Sequence, residues 1–208
     1  MRYAINNDKQ RVEVSESGEL ALCPCCSKPV KGRRGDHRIH HWYHYEGLSS
    51  NCDGWYEPMT EWHLKWQNYF PSQNQEVVIT KDGEKHIADI KTSTGVILEF
   101  QNSSINSNVI RKREKFYGQK LVWIINALPF KKNLLLEQSV LWSKGDPYVY
   151  KWNRPRRSWE VSIRPIFLDF GPDWDELFWV KKGMGTRSLE GIYYNKKKFI
   201  ERNGGDLI

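Results

Sequence analysis

The sequence predicts an α/β fold: a mixed sheet flanked by helices, preceded by a small cysteine-rich module. Three observations carry this. Residues 57–130 alternate helical and strand patterns in the order helix, three strands, helix, strand. All four cysteines fall between Cys23 and Cys52, within a segment 1–56 that also holds four of the six histidines. Residues 131–208 are rich in Trp, Pro and Arg and give only short strand signals. With 208 residues, 39% of them apolar and 27% charged, the chain has the material for a packed core.

The middle segment justifies the assignment element by element. Thr60 is a helix cap, and Trp62, Trp66, Tyr69 and Phe70 recur at helical spacing until Pro71 ends the helix. Residues 76–80 read as a strand, 81–84 as a hairpin turn and 86–90 as the second strand. Another turn at 92–95 leads into a third strand at 96–101, whose continuous apolar start suits a central position in a sheet. Residues 108–117 form a basic helix and 121–125 a buried fourth strand. No internal repeat or low-complexity stretch is present.

Charge and composition narrow the partners. Lys and Arg number 32 against 25 Asp and Glu, a net charge of +7 with a pI near 9.2. That balance favours an anionic partner such as DNA. The longest apolar run, residues 121–130, is half of the roughly 20 residues that span a bilayer, so no membrane association is expected. The first residues carry charges and no apolar secretory segment, and the cysteines are clustered rather than scattered as in a disulfide scaffold; both predict a cytoplasmic protein.

Cys23 and Cys26 form a C-x-x-C knuckle, and His44 and Cys52 supply a second pair of donors within the same short window. Zinc takes four such ligands in a tetrahedron, two from each of two turns, and a set with no open position is structural. Cys25 points differently from its neighbours and His41 lies on the opposite strand face from His44, so both are left out. Four free thiols beside surface histidines is the alternative.

The second constellation is acidic. Asp89 lies on the second strand and Glu99 on the third, and a turn at 92–95 brings the two carboxylates together. With Glu61 on the preceding helix they make a hard oxygen site suited to Mg²⁺ or Mn²⁺. Gln101 follows Glu99 by two residues and so emerges on the same strand face. This Asp-x9-Glu-x-Gln spacing is the layout of PD-(D/E)XK nucleases, with Gln for the usual Lys and Ala88 for the usual proline. On spacing alone, paired acids on a hairpin are more often a solvated edge.

The surrounding residues extend the pattern. Thr-Glu-Trp-His-Leu-Lys-Trp (60–66), His-Ile-Ala-Asp-Ile (86–90), Ile-Leu-Glu-Phe-Gln-Asn-Ser-Ser-Ile (97–105) and Arg-Lys-Arg-Glu-Lys-Phe-Tyr (111–117) resemble, in order, the CoiA-like competence protein family. So do the Cys-Pro-x-Cys opening and His-Trp-Tyr-His (41–44), where the family usually has His-Phe-Ala-His. The resemblance runs from about residue 20 to residue 126. It implies a zinc-ribbon-like module (1–56), a PD-(D/E)XK nuclease core (57–130) and an extension of open role (131–208). It also implies a metal-dependent DNA endonuclease of bacterial DNA uptake or recombination, with Asp89, Glu99 and Gln101 as the active-site set. Glu61 carries over less directly, because relatives often have their acid where this chain has Met59.

In that scheme Asp89, Glu99 and the Phe100 carbonyl hold Mg²⁺, Gln101 orients the attacking water, and Arg111, Arg113 and Lys115 grip phosphates. His63 orients a phosphate or a water. Each has a plainer alternative: Glu61 and Lys65 as a surface pair, His63 as a packing neighbour of Trp62, and the basic helix as a solvated face. Trp152 and Trp159, interleaved with Arg154, Arg156 and Arg157, suit base stacking but fit core packing better. A DNA-binding accessory that does not cut is the competing function.

Overall fold

The computed structural model describes residues 1–35, 38–47, 52–55, 59–137 and 147–207. Five short strands, β1 (Ala4–Ile5), β2 (Arg11–Val12), β3 (Leu20–Leu22), β4 (Pro29–Gly35) and β5 (Arg38–Tyr43), form an antiparallel sheet ordered β2-β1-β3-β4-β5. Its core is small: Ala4, Val14, Ala21, Val30 and Trp42 pack with Met1, Cys23 and Cys25. The module boundary expected at residue 56 lies outside the described residues.

The second sheet is large. Helix α1 (Glu61–Asn68) precedes β6 (Gln75–Lys81), β7 (Glu84–Lys91) and β8 (Ile97–Gln101). Then come α2 (Ser107–Tyr117), β9 (Leu121–Asn126), β10 (Leu134–Glu137), β11 (Tyr148–Trp152), β12 (Ile166–Asp169), β13 (Glu176–Lys182), β14 (Ser188–Asn195) and α3 (Lys196–Arg202). The nine strands are ordered β10-β11-β14-β13-β12-β9-β8-β7-β6, with β9 parallel to both β8 and β12 and the remaining pairs antiparallel.

Local chemistry explains the helix and strand boundaries of the middle segment. Thr60 Oγ1 accepts the His63 N–H as the α1 cap, and Pro71 follows the helix. Gly95, at φ +79°, makes the turn between β7 and β8 in a conformation that side chains resist. Residues 131–208 are not an appendage. Strands β10 to β14 continue the same sheet through the parallel β9–β12 ladder, so no break in the sheet falls at residue 130. Trp152 and Trp159 are core residues, in line with the plainer alternative.

Alternate residues of the central strands feed two cores. Leu98, Phe100, Ile124 and Phe167 pack against α1 and α3 through Trp66, Tyr69, Phe199 and Ile200. Ile97, Trp123 and Ile125 pack on the opposite face with Ile110 of α2. A buried ionic knot holds α1 in place. Both indole N–H groups of Trp62 and Trp66 donate to Asp169 Oδ2 (2.7 and 2.8 Å), while Lys196 Nζ and the Gly171 N–H donate to Oδ1 (3.1 and 3.2 Å). Removing Asp169 leaves a buried ammonium and two indoles unmatched, so Asp169→Ala is expected to cost about 3–5 kcal/mol in chemical denaturation. A loss under about 1 kcal/mol would show that water replaces the carboxylate there.

Candidate active site and metal centre

Cys23 and Cys26 sit in the tight turn between β3 and β4, where the Ser27 N–H donates to the Cys23 carbonyl (2.9 Å) and the Cys23 N–H to that of Lys28 (2.8 Å). His44 stands just beyond β5, and Cys52 returns to the same spot. The four donor atoms lie within 4.8 Å of one another. Cys23 Sγ is 3.7 Å from Cys52 Sγ, and His44 Nε2 is 3.3 Å from Cys26 Sγ and 3.7 Å from Cys52 Sγ. A tetrahedron with Zn–S bonds of about 2.3 Å has edges of about 3.8 Å, so the set can hold a metal such as zinc. Burial pushes the Cys23 and Cys52 thiols up, and pushes the His44 imidazole down toward its neutral, ligating form. Metal binding therefore releases thiol protons. The two residues left out stay out: His41 Nδ1 bonds the Ile39 carbonyl, and Cys25 Sγ lies 4.0 Å from the Lys85 carbonyl.

The acids meet where β7 and β8 part. The ladder pairs Lys91 with Ile97 and Ile90 with Leu98. Next along, the Asp89 side chain takes over: Oδ2 accepts the Phe100 N–H (2.7 Å) and Oδ1 bonds His63 Nε2 (2.8 Å). Glu99, 3% exposed, accepts from Arg113 Nη1 at Oε2 (3.0 Å), while its buried Oε1 has no hydrogen-bond partner among the described residues. All four side chains line one cavity of about 250 Å³, facing Met1, Trp42, Tyr43, His44 and Cys52 of the N-terminal module.

Burial, then the Asp89 charge, raises the Glu99 carboxyl from 4.5 to about 8, against the opposing pull of Arg113. Between those values the folded chain keeps a proton that the unfolded chain releases. Stability without added Mg²⁺ or Mn²⁺ is therefore expected to fall as pH rises from about 4.5 to about 8. Thermal denaturation across that range checks this. Glu99→Gln should lose that part of the slope, and an unchanged slope would show Glu99 ionised throughout.

Several expected roles need correcting. Arg113 was expected on a phosphate-gripping face with Arg111 and Lys115, but it is 5% exposed and turned inward, bonded to Glu99 and, through Nη2, to the Trp55 carbonyl (2.6 Å). It shares the buried side of α2 with Ile110 and Glu114, whereas Arg111 and Lys115 are exposed. Glu61 is exposed and does not line the cavity. Gln101 is 0% exposed, and its amide Nε2 donates to Ser103 O and Oγ (3.3 Å each) rather than lining the cavity. His63 is placed on Asp89, neither free for a phosphate nor merely packed beside Trp62.

Other residues of the site were not anticipated. Asp53, next to Cys52, accepts from His86 Nδ1 (2.8 Å), the Ile87 N–H (2.8 Å) and the Trp55 N–H (2.9 Å), tying the Cys52 segment to β7. Glu76, at φ +42° in an irregularity of β6, accepts the N–H groups of Arg2 (2.8 and 2.9 Å) and Tyr3 (3.1 Å) and docks the module on the sheet edge. Neither docking contact has a sequence signal, since Asp53 meets His86 and Ile87, and Glu76 meets Arg2 and Tyr3, across long stretches of chain.

Comparison with known proteins gives no match: no family model, no curated protein and no solved structure matches the chain, and nothing in them identifies a CoiA-like family.

Proposed function

We infer that this protein is a metal-dependent deoxyribonuclease with a PD-(D/E)XK-type core, the N-terminal Cys/His centre holding structural zinc. The observation that carries the reading is the Glu99 carboxylate, buried beside Asp89 in a cavity wall near the Tyr117 hydroxyl, with an Oε1 that no partner among the described residues meets at hydrogen-bond distance. An oxygen so placed is costly unless a cation or a proton meets it. Asp89 and Glu99 are hard oxygen donors that fit Mg²⁺ or Mn²⁺. When bound, such an ion polarises a phosphoryl oxygen and lowers the pKa of water.

The chain's own groups do the rest. His63 and the Phe100 N–H fix the direction of the Asp89 carboxylate. Arg113 holds Glu99 from behind and supplies positive charge at the cavity wall. Trp42 and Tyr43 of the N-terminal module line the same cavity and give it an aromatic wall. Gln101 acts on the 102–106 loop through Ser103.

A second reading, a DNA-binding accessory that does not cut, draws on the same contacts: His63 and Arg113 each engage an oxygen that a metal would use. Zinc-loaded protein incubated with Mg²⁺ or Mn²⁺ and linear duplex, single-stranded or branched DNA decides between them. Metal-dependent cleavage is expected, and binding without cleavage on every substrate would establish the accessory.

A further inference from the structure

A second cavity, of about 900 Å³, shares Cys52 and Trp55 with the acid cavity in its walls. Its walls are the Cys25–Ser27 knuckle, the β6–β7 turn and one face of α2. Three lysines converge on it. Lys112 and Lys115 are three residues apart on α2 and so share a helix face, and Lys85 approaches from the hairpin. All three are exposed, and none forms an ion pair among the described residues. A fourth, Lys81, is committed: its Nζ donates to the Phe116 carbonyl (3.0 Å) and to that of Lys115 (3.5 Å), pinning the hairpin to the end of α2. Asp82 and Glu84 also line the groove, so its balance is four ammonium groups to two carboxylates.

The groove and the acid cavity are adjoining chambers. Cys52 and Trp55 line both. The Trp55 ring is held flat on His86, with centroids 3.2 Å apart and planes within 2°, and its edge meets Phe116. A ligand that uses both chambers is a chain with repeating negative charge. The acid cavity, lined by Trp42 and Tyr43 as well as by Asp89 and Glu99, measures about 250 Å³, too small for a base-paired stack.

We propose that the Lys85–Lys112–Lys115 groove is the track along which a single nucleic-acid strand reaches the acid cavity, with Trp55 as the sill between them. This rests on the nuclease reading for the use made of the strand, but not for its binding. A basic groove running beside aromatic side chains is the usual means of holding an unpaired strand. It places the phosphate contacts on Lys85 and Lys112 as well as Lys115.

The test is fluorescence anisotropy of zinc-loaded protein, without added Mg²⁺ or Mn²⁺, using labelled oligothymidylate and the duplex it forms with oligodeoxyadenylate. The variants are Lys85→Glu, Lys112→Glu and Lys115→Glu combined, and a control of equal charge change elsewhere, Lys182→Glu, Lys197→Glu and Lys198→Glu combined. Wild-type protein should prefer the single strand. The groove variant should lose at least about tenfold in affinity, and its slope of log K against log salt should flatten by about 2 relative to the control. Equal affinities and slopes for the two triple variants would overturn the track. Tighter binding of the duplex through the same lysines would overturn its single-strand character. The nuclease reading fails separately: a wild-type protein that binds strands through these lysines yet never cleaves them with Mg²⁺ or Mn²⁺ retains the track and loses the enzyme.

Discussion

Glu99→Gln is expected to reduce DNA cleavage by roughly three orders of magnitude, about 4 kcal/mol of barrier, while leaving the fold intact. The amide keeps the shape of the side chain but cannot offer an anionic oxygen to a divalent ion. Folding should tolerate it, because burial already raises the carboxyl to about 8 and the native packing accepts a neutral group there. Arg113 keeps the Trp55 carbonyl and an amide oxygen as partners. Cleavage rates beside circular dichroism and thermal denaturation give the measurement. A well-folded variant cutting at the wild-type rate would remove Glu99 from the active site and the nuclease reading with it.

Chelating the metal, or replacing one of its ligands by Cys26→Ser, is expected to unfold the N-terminal sheet. Its strands are two to seven residues long, and its core is a handful of small side chains around Trp42. Structural zinc in comparable modules contributes apparent binding energies of about 10–16 kcal/mol, far more than such a core supplies. Elemental analysis should find one zinc per chain, and chelation should expose the basic β4 segment, with Lys31, Arg33 and Arg34, to trypsin. Zinc-free protein with an unchanged digestion pattern would show that the thiols only pack. His44 and Cys52 also line the acid cavity, so Cys26→Ser assayed with Mg²⁺ or Mn²⁺ present should abolish cleavage even though Asp89 and Glu99 remain.

Elements marked by local chemistry were legible in the sequence. The Thr60 cap, the Pro71 stop, and the turns at 81–84 and 92–95 each depend on neighbours within a few residues, and the helix and strands they bound fall where periodicity puts them. The metal-ligand set was legible for a similar reason, because a C-x-x-C knuckle constrains its own geometry. The joining of residues 131–208 to the sheet was not, since the parallel β9–β12 ladder pairs Trp123 with Ile166, with β10 and β11 lying between them in the chain. Arg113 was misplaced by its charge, although helical spacing from Ile110 and Tyr117 already put it on the inner face of α2. Gln101 shares strand parity with Glu99, but parity fixes a face and not what covers it. Asp53, Glu76 and Asp169 satisfy groups on other elements, so only the assembled molecule assigns them.

The knot at Asp169 sets an order of events during synthesis. The acids at 89 and 99 and the helix bearing His63 leave the ribosome early. What holds that helix down, Asp169 with Lys196, emerges only with the last strands and α3. Chains elongate at about 5–20 residues per second, while helices and hairpins form within microseconds. A nascent chain therefore carries the chemical groups of the site for seconds before it can hold them in position. On the nuclease reading, a chain stalled before residue 169 is expected to be inactive, because it lacks the carboxylate that Trp62, Trp66 and Lys196 share.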